Sequence, residues 1–284
     1  NPSGAVTDFF IRNLNLHGTA EVMYTTCMLL DSVELGHRKR LTVANVNLDI
    51  EYPSGGKAGF IAEARISDQS TLAIRDSSFK GQFSDSYGAS GGGLIGLVYG
   101  ESSLVEIRSS TAHFDAYVDS NSGGLIGHAI LSESDLVIDG GFTSGRLIRN
   151  DWPGSLGTVG GLVGYIYSDY GHDTHARYLI RNSASTVDIV SQSHHIGGFI
   201  GGINAPSPFT HLVIERSFYA GQVSGIQSVG GLLGLAMVGA VEIRDSWVGG
   251  QAEGSGRYYD FGSLNIGGVA GGLHLFGSGL NVAN

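Results

Sequence analysis

Gly88-Ala89-Ser90-Gly91-Gly92 has the G-x-S-x-G spacing that presents a nucleophilic serine on a sharp strand-to-helix turn in hydrolases. Gly91 to Gly96 also fits G-x-G-x-x-G, in which glycines let a dinucleotide pyrophosphate approach a helix N-terminus. Both chemistries need a helix directly after the glycines. None is expected there, so Ser90 is read as part of a polar turn and no catalytic residue is assigned. His172, Asp173 and His175, with His194-His195 further on, carry the imidazole and carboxylate groups that ligate divalent cations. His172 and His175 would need a helix to align them, and the Gly-Gly-x-Gly-x-Asp calcium pattern is not repeated. The expectation is an exposed polar loop, with no metal and no cofactor. An Arg-Asp pair recurs at Arg75-Asp76 and Arg244-Asp245, resembling the catalytic pair of a polysaccharide-cleaving β-helix. Recurrence points instead to an outward charge ladder, because a reaction centre departs from its repeat at one place.

Sugar recognition uses aromatic side chains beside carboxylates, the ring stacking on a pyranose face. Two segments have that composition, Asn150-Asp151-Trp152-Pro153 and Arg257-Tyr258-Tyr259-Asp260-Phe261. Each lengthens an otherwise regular interval between an isoleucine and a pair of glycines, and His194-His195 falls at the same place in between. Trp152, His194, His195, Tyr258 and Tyr259 are therefore the candidate binding residues, on loops at one corner of a stable frame. The alternative is that these aromatics fold down and cover the outer wall.

The frame that must position them is a repeat. Glycine pairs followed by two apolar residues and a small one begin at Gly92, Gly123, Gly160, Gly197, Gly230 and Gly267, and the closing residues are Gly96, Gly127, Gly164, Gly201, Gly234 and Gly271. The intervals of 31, 37, 37, 33 and 37 residues lie in the range that marks stacked-repeat proteins. A second pattern, Ile-Arg-Asp/Asn/Ser-Ser, recurs at Ile74, Ile107, Ile180 and Ile243, with a variant at Ile214 and a further anchor at Ile138. Strand alternation precedes it, and a glycine stands seven residues after Ile74, Ile138, Ile214 and Ile243, at Gly81, Gly145, Gly221 and Gly250. These spacings predict an all-β fold, a parallel β-solenoid of about eight coils of ~34 residues with three short strands per coil. One domain covers 1–284, with degenerate coils over 1–57, regular coils over 58–275 and the start of a further coil at 276–284. The paired glycines either adopt a positive φ at a tight corner or admit a neighbouring backbone. Leu94, Leu125, Leu162, Phe199, Leu232 and Val269 then form an apolar ladder, with the choice between each and its following neighbour as the inward residue left open.

The Gly-Gly-Leu-Ile-Gly, Gly-Gly-Leu-Val-Gly and Gly-Gly-Leu-Leu-Gly copies resemble the GLUG repeat of large bacterial surface and secreted proteins. The resemblance spans roughly 58 to 275; Gly267-Gly268-Val269-Ala270-Gly271 departs from it at the third position. It implies an adhesin-like or filamentous protein, or a stalk beside another domain, and it carries over no catalytic residue.

Composition narrows the partners. Glycine makes up 46 of 284 residues, yet 42% are hydrophobic and five are proline, which excludes collagen and disorder. The net charge of −10 opposes nucleic-acid binding. One cysteine, Cys27, excludes an internal disulfide framework. The longest apolar run, Val229 to Val241, is far shorter than the ~20 residues that span a bilayer, so no membrane insertion is expected. The same strand of the repeat lies near both ends, at Ile11 and at Leu280-Asn281-Val282. Two structural roles follow, both extracellular or on the bacterial surface: a stalk or binding segment within a longer chain of flanking repeats, or a subunit that stacks on other copies of itself end to end into a fibre. Surface glycans are the candidate ligands, and a polysaccharide-binding or polysaccharide-degrading β-helix is the alternative.

Overall fold

The structure, a computed structural model, describes residues 6–19, 27, 29–51, 58–84, 90–118, 120–149, 157–168, 175–191, 194–254 and 265–283. It is a parallel β-solenoid of about seven turns, against the eight expected, with no helix among the described residues. The turn at 122–149 is representative. It consists of a short strand Ser122–Gly123 and three long ones, Ile126–Ser132, Asp135–Asp139 and Phe142–Arg149. Each pairs in parallel with its equivalent one turn on, through Ser122↔Val159, Ile126↔Val163, Leu136↔Tyr178 and Phe142↔Ala184. The three long strands match the expected three per coil, and the short strand is an addition to them. Its copies form a separate six-stranded sheet. Spacing alone hides it because it is only two or three residues long and ends on the motif's first glycine.

The isoleucine pattern builds the core. Val43, Ile74, Ile107, Ile138, Ile180, Ile214 and Ile243 stand in register on the second long strand of successive turns, and all are buried. Each contributes on the order of 1.5–3 kcal/mol of burial. Two residues further on, Asn45, Asp76, Ser109, Gly140, Asn182, Arg216 and Asp245 all take a left-handed φ between 44° and 74°. Asn, Asp and Gly visit that region at least cost, which accounts for their recurrence after Ile-x.

The serine that follows closes this corner. Ser183 Oγ donates to Arg181 O at 2.7 Å and accepts the Gly141 N–H of the preceding turn at 3.1 Å; Ser217 and Ser246 accept N–H groups in the same way. Ser183→Ala leaves the buried Gly141 N–H without this acceptor, so a loss of about 1–3 kcal/mol is expected in urea unfolding. Ser144→Ala, on an outward position of the third long strand, is expected to stay within about 0.5 kcal/mol.

Outside, the arginines after the isoleucines form ion pairs between turns. Arg181 reaches Asp139 at 2.8 Å and Arg244 reaches Glu215 at 2.6 Å, while Glu106 is gripped by Arg75 and by Arg108. Burial would raise the Glu106 carboxyl, but hydrogen bonds and charge from Arg75 and Arg108 outweigh it and hold the group below the usual carboxylate range.

The glycine corner distinguishes the two roles considered for it. Gly92, Gly123, Gly160, Gly197, Gly230 and Gly267 stack in register, and no motif glycine is among the described residues with positive φ. Their role is close approach. A Cβ on Gly160 would lie 2.0 Å from Val163 O and 2.6 Å from Gly201 N; on Gly161, 2.0 Å from Gly198 O; on Gly164, 2.4 Å from Gly127 O. Backbone from the same corner and from adjacent turns fills the volume a side chain needs. The apolar pair between the glycines is buried as a pair: Leu94 with Ile95, Leu125 with Ile126 and Leu162 with Val163 all belong to one core. Val269, on the last described rung, is 39% exposed.

Candidate ligand-binding face

The first long strand alternates as a strand should, with Ile126, Ala129 and Leu131 buried. Its outward residues break the usual polarity. One column runs Leu97, His128, Tyr165, Gly202, Leu235 and the next runs Tyr99, Ile130, Tyr167, Asn204, Met237, both in strict register. All are half-buried apart from Gly202, which is buried. The rings of His128 and Tyr165 lie 5.2 Å apart and those of Tyr165 and Tyr167 6.4 Å apart.

The glycine corner folds the short strand back beside this face. It aligns Asn121, Thr158 and His195, each one residue before a registered pair, along the edge of the aromatic column. Asn121 Oδ1 accepts the Thr158 N–H at 3.0 Å, and Thr158 Oγ1 donates to Gly164 O at 2.8 Å. The column is interrupted at Gly202. A Cβ there would meet Thr158 Cγ2 and Tyr165 Cδ2, each at 3.0 Å. Beside Gly202 lies a cleft of about 280 Å³ whose lining includes Tyr165, His195, Asn204, Leu235 and Met237. A wider and more charged groove of about 620 Å³ lies on the same face around Glu34, Arg65, Tyr99 and Glu133, where the Arg65 guanidinium sits 4.4 Å over the Tyr99 ring.

Both histidines of this face are kept neutral at pH 7. Burial pulls His128 and His195 down to about 4, with the adjacent His194 adding to the effect at His195. Because the folded values lie below the unfolded 6.5, the unfolded chain takes up protons first on acidification. Stability from this source is complete above pH ~6.5 and falls as the pH drops towards 4. The melting temperature is therefore expected to fall between pH 7 and pH 4.5, and His128→Phe to make that fall shallower, measured by circular dichroism.

Of the sequence candidates, Trp152, Tyr258 and Tyr259 lie outside the described residues, as do Asp151, Asp260, His172 and Asp173. His194 and His195 are described, and their rings meet edge to face at 6.2 Å. His195 opens the short strand His195–Gly197 and lines the cleft. Ser90 precedes a short strand and then Ile95–Glu101, so the glycines around it lead into strands. The polar loop expected around His172, Asp173 and His175 is flanked by described strands on both sides. Tyr165 belongs to the strand Val163–Tyr167, and Tyr178 is a core residue in register with Leu136 and Leu212. Sequence reasoning passed over Tyr165, Gly202, Leu235 and Met237. The available signal was an aromatic or apolar residue at outward positions, as in Val163-Gly164-Tyr165-Ile166-Tyr167.

Fold and face together define a parallel β-solenoid with an aromatic outer sheet. Over 177 residues, 60% of this chain, the sequence is 29% identical to Halomucin of Haloquadratum walsbyi (strain DSM 16790 / HBSQ001). The chain spans about 2% of that protein's length. No family model matches the chain, and no solved structure matches it. The solenoid fold and the likeness to Halomucin are compatible with a surface structural role. Among the described residues no helix is long and apolar enough to cross a membrane.

Proposed function

We propose that this chain is a structural and adhesive segment of an extracellular or cell-surface protein, a GLUG-type β-solenoid rod. The observation that carries the reading is the state of the end rungs. Thr7–Thr19 pairs only with Lys39–Glu51, and Ala270–Ala283 only with the strand Leu233–Arg244. The other edge of each has no described partner strand. Phe9, Phe10, Ile266 and Phe276 on these rungs are exposed, whereas the equivalents of Phe9 and Ile266 in the adjoining turn, Leu41 and Val229, are buried. A free parallel edge with apolar side chains is a site for another strand, and a solenoid turn is stabilised by its neighbours. A further coil or a second copy would satisfy such an edge, and surface glycans are the ligands the adhesive part would take.

Light scattering and electron microscopy of the purified chain test this. Filaments that lengthen with concentration assign the cover to a second copy. A monomer whose melting temperature rises when flanking repeats are appended assigns it to the same chain. A monomer indifferent to added repeats, and active in cleaving a polysaccharide, would overturn the structural reading.

A further inference from the structure

We infer that the cleft at Gly202 is a saccharide site taking a single neutral pyranose ring, with Tyr165 as its stacking platform. The inference deepens the adhesive reading and rests on it. Three observations carry it. First, the outward column is interrupted at the cleft: Tyr165 and Leu235 flank Gly202 in register, and Gly202 is the only one of the three without a side chain. The Tyr165 ring leans over Gly202, and the cleft opens beside it with Leu235 and Met237 also in its lining. At about 280 Å³ the cleft falls just below the ~300–1,000 Å³ range of small-molecule sites, room for no more than one ring.

Second, the lining pairs apolar area with hydrogen-bonding side chains and carries no charged group. Tyr165, Leu235 and Met237 supply the first, and His195, Asn204 and Thr158 the second. A pyranose has the matching chemistry, with C–H groups on its faces and hydroxyls around its rim. An anionic or cationic ligand would find no counter-charge. Third, the walls are rigid. Thr158 is tied to Asn121 and to Gly164 O, and Tyr165 is braced by the rings of His128 and Tyr167, so little ordering cost is left for the bound state. The other aromatic surfaces lack one of these features. Tyr99 is already covered by Arg65, and the stacked pair Phe218–Trp247 stands on an open strand face.

The test is saturation-transfer NMR on the whole chain at neutral pH with four probes: methyl β-glucopyranoside, methyl β-galactopyranoside, methyl α-mannopyranoside and N-acetylglucosamine. At least one is expected to receive saturation on its ring protons. Tyr165→Ala should weaken that binding about tenfold, the equivalent of about 1.4 kcal/mol, while Tyr165→Phe keeps it. Gly202→Ser should abolish it by displacing the Tyr165 ring and the Thr158 methyl, which a Cβ there meets at 3.0 Å, and it keeps the test open should Tyr165→Ala misfold. Transfer to none of the four probes, or transfer unchanged in both Tyr165→Ala and Gly202→Ser, overturns the inference. A chain that forms rods or filaments yet binds none of these sugars overturns this inference alone and leaves the structural reading standing.

Discussion

Gly160→Ala is expected to cost about 4 kcal/mol or more, a large share of the ~5–15 kcal/mol that holds an ordinary domain folded. The added methyl would lie 2.0 Å from Val163 O, 2.6 Å from Gly201 N and 2.8 Å from Phe199 O. All three are backbone atoms, two of them in the next turn, so relief requires moving a rung rather than a rotamer. The matched control is Gly268→Ala. It occupies the second motif position, where Gly231 would bring a Cβ to 2.2 Å from Gly268 O, yet a Cβ on Gly268 itself meets nothing within 4 Å. Gly268→Ala should therefore stay within about 0.5 kcal/mol. Urea unfolding of Gly161→Ala, at the same motif position and with a Cβ 2.0 Å from Gly198 O, beside Gly268→Ala separates a demand made by the next turn from one made by the corner's own conformation; equal losses would contradict the close-approach role.

Phe114→Ala is expected to destabilise by about 3–5 kcal/mol, the upper range for a buried aromatic. The third long strand exchanges volume between two inward positions from turn to turn. Phe79, Ala112, Thr143, Ser185 and Tyr219 stack at one position, and Gly81, Phe114, Gly145 and Val187 at the other. Where the first is large the second is glycine: Phe79 is followed by Gly81 and Tyr219 by Gly221. The Tyr219 hydroxyl donates to Val187 O at 2.8 Å, so its ring lies across the second position of the preceding turn. Phe114 stands between Gly81 and Gly145, and no neighbouring side chain at its level can collapse into the space its ring leaves. Ile148→Ala, at a half-buried outward position of the same sheet, should cost much less. A Phe114→Ala loss below about 1 kcal/mol would show that the core repacks freely and that the exchange of large and small residues is incidental.

The same pattern shows what a single sequence can disclose. Recurrence made the solenoid legible: Ile74, Ile107, Ile180 and Ile243 share spacing, neighbours and fate. The glycines seven residues after an isoleucine were visible as a pattern, but their cause was not, because it lies in Phe79 and Tyr219 two residues earlier and in the carbonyl of the turn before. At the corner, sequence left Leu94 and Ile95 as competitors for one inward place. The bend buries both, a result that depends on how tightly two backbones cross. The binding face was hidden for a related reason. Tyr165 lies within the regular repeat, and attention to its interruptions led to Trp152 and Tyr258, on segments beyond the described residues. Only His195 was found from both directions, since its position before a glycine pair places it at the cleft edge. Gly202 has no chemistry of its own, and its meaning depends on Tyr165 and Leu235 one turn to either side.

Spin–spin distances along one column test the stacked register most directly. Asn15, Asn47, Ser78, Thr111, Phe142, Ala184, Phe218 and Trp247 succeed one another on the third long strand. With Cys27→Ser as background, labels on Trp247→Cys paired in turn with Asn15→Cys, Asn47→Cys and Ser78→Cys should report separations near 34, 29 and 24 Å, at about 4.8 Å per rung. A constant step of about 4.8 Å from one pair to the next, despite some thirty residues of intervening chain each time, is the predicted result. Unequal steps, or separations that do not shorten in that order, would contradict the solenoid and everything placed on its outer face.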